Sequence, residues 1–146
     1  MQLTTLRIFA VMACAISSIN LNAQTTTPDP SNFDRFISQV YVNSGRDFIK
    51  PDTRRYSYLK ELFENRITYA KYDQAKLDLD NSMPLLSSVP LYTVYQKALS
   101  RDASFNPKTF NPFKYSFDFY SPNKQLFRVD GTGYVVIIYP QIQVRN

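Results

Sequence analysis

Histidine and tryptophan do not occur in this 146-residue chain, and its one cysteine is Cys14. The lack of imidazole removes the commonest general base and the usual nitrogen ligand for metals. A Ser-His-Asp triad is therefore excluded, and so is a zinc site built from Cys and His. Cys14 lies in a segment that processing is expected to remove. Thiol catalysis and disulfide support are then excluded from the working protein too. The N-glycosylation acceptor Asn-x-Ser/Thr is also missing. An exported chain with neither a cysteine pair nor that acceptor fits a bacterial envelope or secreted protein better than a eukaryotic secreted one. Carboxylate, lysine, tyrosine and hydroxyl chemistry remain.

The N-terminus carries the three parts of a cleavable secretory signal. Arg7 gives a basic start, an apolar stretch runs from Ile8 to Ile19 broken only by Ser17 and Ser18, and small Ala23 precedes the expected cut before Gln24. The apolar stretch is shorter than the roughly 20 residues that span a bilayer, which favours release over a retained anchor. Val11-Met12-Ala13-Cys14 supplies the alternative, a lipoprotein-like cleavage that would leave the chain lipid-anchored at Cys14. Apolar residues that continue past Cys14 weigh against it. Processing removes one cation, Arg7, and leaves 123 residues with a net charge of +4. That length makes one domain: residues 1–23 are signal, 24–31 a flexible leader of the type TTTPDPS, and 32–146 the folded unit.

Helical spacing comes first along the chain. Phe33, Phe36, Ile37, Val40 and Tyr41 predict a short amphipathic helix over 32–42, stopped by Asn43-Ser44-Gly45 with Gly45 in the left-handed position. Tyr56, Leu59, Phe63, Ile67 and Ala70 predict a second helix from about Thr53 to Ala70, capped by Asp52 after Pro51. Its far end is ambiguous, because Arg66–Tyr72 (RITYAKY) also suits a strand. Residues 73–89 look irregular, and 90–100 fit a third short helix with Leu91, Val94, Tyr95, Ala98 and Leu99 on one face. Phe105-Asn106-Pro107 and Phe110-Asn111-Pro112 mark turns pinned to the core by their phenylalanines.

Alternation then takes over. Phe113, Tyr115, Phe117 and Phe119 predict a strand, with Ser121-Pro122-Asn123 closing a hairpin. That register sets Phe117 opposite Phe127, Tyr115 opposite Val129, Lys114 opposite Asp130 and Arg128 diagonal to Asp118. After a turn at 130–133, Tyr134–Tyr139 (YVVIIY) is apolar throughout, as in a strand covered on both faces. A bare edge would be a liability there, so a fourth strand is expected beside it, with Arg66–Tyr72 the candidate. Helices followed by strands give an α+β fold: N-terminal helices on one face of a C-terminal antiparallel meander of three or four strands.

Partial motifs fail on their missing members. Ser57-Tyr58-Leu59-Lys60 matches S-x-x-K, but the companion S-D-N and K-T-G elements are absent and the chain is too short for that fold. Val129-Asp130-Gly131-Thr132 resembles the D-x-D-G-T loop of haloacid-dehalogenase-type phosphatases, but Arg128 stands where the nucleophilic Asp belongs. Asp78-Leu79-Asp80-Asn81 offers oxygen ligands for calcium, yet Met83 and Val89 occupy positions that an EF-hand gives to Gly and an acid. Glu61 and Glu64 lie one helical turn apart and suit surface ion pairs. No motif implies a metal or a cofactor.

Cations mixed with aromatics are the remaining signal. Arg54, Arg55, Tyr58, Arg66, Lys71 and Tyr72 form the candidate anion or ligand surface, although nearby acids make a salt-bridged solvent face the plainer use. The expected function is a small exported, non-catalytic binding or accessory protein of a bacterial envelope or the extracellular space; its ligand is left open, with an envelope protein or an anionic glycan as the candidate partners and no nucleic acid. One alternative is a hydrolase using carboxylate or Ser/Lys chemistry on cell-wall or glycan substrates. Another is a structural or partner-dependent subunit of an envelope complex, which an exposed apolar patch around Leu85, Leu86 and Leu91 would favour.

Overall fold

The computed structural model describes residues 23–79 and 82–141. The expected signal segment up to residue 22, including Cys14, lies outside them, as do Asp80 and Asn81. The fold is α+β, with a four-stranded antiparallel sheet in the order β1-β2-β4-β3. Its strands are β1 (Gln24–Thr26), β2 (Ile67–Lys71), β3 (Gln125–Arg128) and β4 (Tyr134–Ile138). Its helices are α1 (Phe33–Val40), α2 (Arg54–Asn65) and α3 (Gln74–Leu79). Among the described residues no helix is long and apolar enough to cross a membrane.

α1 forms where the 3.6-residue spacing predicts it, and buries Phe33, Phe36, Ile37 and Val40. The left-handed residue after it is Asn43 (φ 51°), not Gly45. Asparagine tolerates that conformation because its short side chain bonds locally. Gly45 is needed for space instead: a Cβ there would come within 2.7 Å of Tyr95 Cγ. The cap of α2 is Thr53, whose Oγ1 accepts the Tyr56 N–H at 3.2 Å, so Asp52 is one residue too early.

α2 stops at Asn65, five residues short of Ala70, and the strand reading of this stretch prevails. Ile67–Lys71 is rich in β-branched and aromatic residues, and pairing with β4 buries it on both faces. Ile67 and Tyr69 join Val136 and Ile138 in the main core under α1 and α2. Ala70 joins Val135 and Ile137 on the opposite face, covered by Leu77 of α3. β4 thus lies inside the sheet, between β2 and β3, which accounts for its unbroken apolar run.

Residues 24–31 are not the flexible leader expected. Gln24–Thr26 pair with Lys71, Ala70 and Tyr69, and Asp29 caps a 3-10 turn at Pro30–Asn32 by accepting the Ser31 N–H. The strand escaped detection because an edge strand exposed throughout has no apolar alternation to read.

Two further elements differ from expectation. Residues 90–100 form no helix; Leu91 makes an isolated bridge to Tyr115, and Tyr92 and Tyr95 pack on Tyr41. The pairing uses backbone that a helix would occupy. Conversely α3 and a 3-10 turn at Leu86–Ser88 lie within 73–89, which looked irregular because each buries a single residue, Leu77 or Leu86.

Residues 113–119 form no ladder with β3. Pro112–Lys114 is a 3-10 turn, and the chain beyond it is a strap held by Ser116 N–H to the Pro90 carbonyl. Phe113, Tyr115 and Phe117 are buried, so the alternation marked the buried side correctly. Phe117 does meet Phe127, with ring centroids 4.8 Å apart. The expected charge pairs do not form: Lys114 pairs with Asp102 at 2.6 Å, and Arg128 donates to the Leu77 carbonyl and lies 3.5 Å from Asp78. The hairpin is instead β3–β4, turned at Gly131 (φ +65°).

Candidate functional site

The structure divides the six candidate surface residues among three environments. Arg66 is buried, and its donors are used internally. Nε donates to the Tyr139 carbonyl at 2.9 Å, Nη2 to the Phe119 carbonyl at 2.9 Å, and Nη1 to the Tyr58 hydroxyl at 3.2 Å. It joins the end of α2 to the end of β4 and to the 119 loop. Lys71 and Tyr72 lie at the other end of the β2–β4 ladder, where Lys71 is exposed and Tyr72 packs against the Ala70–Val135 layer. Arg54 is exposed on the first turn of α2.

Arg55 and Tyr58 remain together, beside the 119 loop. The Tyr58 hydroxyl donates to the Phe119 carbonyl at 2.6 Å, and its ring stacks on Tyr120 at 4.9 Å and 3°. The Arg55 guanidinium lies 5.6 Å from the centre of the Tyr41 ring. It lines a cleft of about 130 Å³ walled by Tyr41, Tyr92, Ser116, Asp118 and Tyr120. Burial pushes the Tyr41 phenol above its ordinary value, and a hydrogen bond from Arg55, with its charge, opposes that shift only in part. Among the described residues Arg55 makes no ion pair, and its Nε is buried without a hydrogen-bond partner. Asp118 is an acid in the cleft wall, with Oδ1 accepting the Tyr120 N–H at 3.1 Å.

The Arg55 guanidinium makes no ion pair among the described residues, so an oxyanion brought into the cleft gains a charge-assisted contact with it. A carboxylate, sulfate or phosphate oxygen fits that description, and the tyrosine rings offer faces for an attached carbon skeleton. Tyr41, Tyr92 and Tyr120 were not legible as site residues. Tyr41 reads as helix core, and the other two come from segments 51 and 79 residues away.

A larger cleft, about 430 Å³, contains charged groups that are already satisfied. Asp130 accepts both the backbone N–H and the hydroxyl of Ser87. Arg101 donates to the carbonyls of Leu86 and Val89 and lies over Tyr115. These contacts tie the β3–β4 turn and the 101 segment to Leu86–Val89. No protein family matches this chain, and no curated protein or solved structure shows significant similarity to it.

The partial motifs are disposed as follows. Lys60 pairs with Glu64 at 2.8 Å, on an exposed face, and not with Ser57. Glu61 lies 3.7 Å from Arg66. Asp78 faces Arg128, while the rest of the calcium candidate, Asp80 and Asn81, is outside the described residues. Leu86 is buried and Leu85 and Leu91 half-buried, which leaves no open apolar patch at those three residues.

Proposed function

We propose that the protein is a small exported, non-catalytic binding protein of a bacterial envelope or the extracellular space, and that its Arg55 cleft takes the acidic group of a glycan. The observation that carries this reading is the partly buried guanidinium, in no ion pair among the described residues, beside Tyr41, Tyr92 and Tyr120. A charge-assisted hydrogen bond there displaces no carboxylate from Arg55, whose internal partner is the neutral Tyr41 hydroxyl. The cleft, about 130 Å³, has room for the acidic substituent itself, while the exposed Arg54 adds long-range attraction for an anionic polymer. Export is supported by the basic start, the apolar stretch and Ala23, and β1 would begin directly after the cut.

Titration calorimetry with a hexuronate oligomer tests the binding claim. Wild-type protein is expected to bind it and to ignore the neutral hexose oligomer of equal length. Arg55→Gln is expected to weaken binding roughly tenfold or more. Equal affinity in Arg55→Gln would refute the assignment. N-terminal sequencing of the exported chain is expected to begin at Gln24; an acylated chain beginning at Cys14 would refute soluble release.

A further inference from the structure

At the Lys71 end of the sheet lies a cleft of about 610 Å³, larger than the Arg55 cleft and built from different elements. β1 supplies Gln24 and Thr26, the end of β2 supplies Lys71, the start of β4 supplies Tyr134, and the turn after Phe105 supplies Asn106 and Lys108. Among the described residues neither lysine makes an ion pair. Lys71 Nζ lies 5.7 Å from the centre of the Tyr134 ring, and Phe105 braces that ring from within at 5.1 Å. Asn106 and Asn32 hold the turn in place: Asn106 Oδ1 accepts the Lys108 N–H, and Asn32 Nδ2 donates to the Lys108 carbonyl.

The charge in this cleft is divided. Asp29 also lines it, and hydrogen bonds from the side chain and backbone of Ser31 hold its carboxyl below the usual range. Two cations therefore face one fixed anion, with hydroxyl and amide groups between them. A bare oxyanion would use only the lysines. A ligand bearing one acid and several hydroxyls would use both sides, donating to Asp29 and accepting from Lys71 and Lys108. The volume lies within the range of small-ligand pockets and accommodates a sugar ring and its neighbour.

We infer that the cleft between β1 and the 106–108 turn is a second binding site, selective for an acidic sugar held by Lys71 and Lys108 against Tyr134. It stands on its own contacts and does not require the Arg55 cleft to bind anything. Amide NMR spectra of the processed chain, titrated with a hexuronate trimer, test it. Saturable shifts are expected at Thr26, Lys71, Lys108 and Tyr134, and they are expected to persist in Arg55→Gln. The double variant Lys71→Gln/Lys108→Gln, altered only at exposed positions, is expected to keep its fold and to weaken those shifts roughly tenfold. A neutral hexose trimer that shifts the same residues with equal affinity would overturn the role of charge. Inorganic phosphate that binds as tightly as the trimer would overturn the sugar assignment. Shifts at Tyr41 and Tyr120 alone would overturn this site while leaving the Arg55 cleft standing.

Discussion

Arg55 and Arg66 sit on the same helix and its cap, yet they have opposite uses. Arg66 spends its N–H groups on the Phe119 and Tyr139 carbonyls and on Tyr58. Replacing it with Met takes the Nε donor from the Tyr139 carbonyl and leaves the Phe119 carbonyl only the Tyr58 hydroxyl, so Arg66→Met is expected to cost roughly 2–4 kcal/mol in urea unfolding. Arg55 gives up no such bond, and Arg55→Gln is expected to change stability by less than about 1 kcal/mol. Ser87 provides a second test at this scale. Burial raises the Asp130 carboxyl, but the Ser87 hydroxyl and N–H, together with its own backbone N–H and the Arg101 charge, hold the group below its ordinary value of 3.8. A depressed carboxyl stabilises the fold above the unfolded value, and that contribution is lost as pH falls through the folded one. Ser87→Ala is therefore expected to lose roughly 1 kcal/mol near neutral pH, kept small by solvent screening. The difference from wild type should shrink below pH 3.8. A constant difference across pH would contradict the pairing.

Among the elements, α1 and β4 were legible because each has one dominant period: a 3.6-residue stripe in Phe33–Val40 and an unbroken apolar run in Tyr134–Ile138. β2 was readable only as a choice, since Ile67 and Ala70 continue the stripe of α2 while Thr68 and Tyr69 favour a strand; its pairing with β4 decides. Residues 113–119 show a limit of alternation. Period two reports which side chains are buried, and a strap satisfies it as well as a ladder does. Caps are local, and the Thr53 cap can be tested by itself. Thr53→Ala is expected to cost about 1 kcal/mol, while Asp52→Ala is expected to be nearly neutral in the same unfolding assay.

For the whole molecule, the two clefts have different walls: Lys71 and Tyr134, at one end of the β2–β4 ladder, line one, and the 119 loop that Arg66 holds at the other end helps to line the Arg55 cleft. The class of the fold was legible from the order of helices and strands, but the clefts were not, because their walls come from distant turns brought together by packing. If both clefts bind acidic sugars, one molecule can hold two segments of a polymer. Light scattering with a long polyhexuronate is expected to show clustering for wild type, and soluble complexes for Arg55→Gln or Lys71→Gln/Lys108→Gln. The most direct test of binding at Arg55 is the proton NMR signal of its guanidinium N–H groups. Adding the hexuronate oligomer is predicted to move that signal downfield and slow its exchange with water. A signal unchanged at saturating ligand would contradict the account.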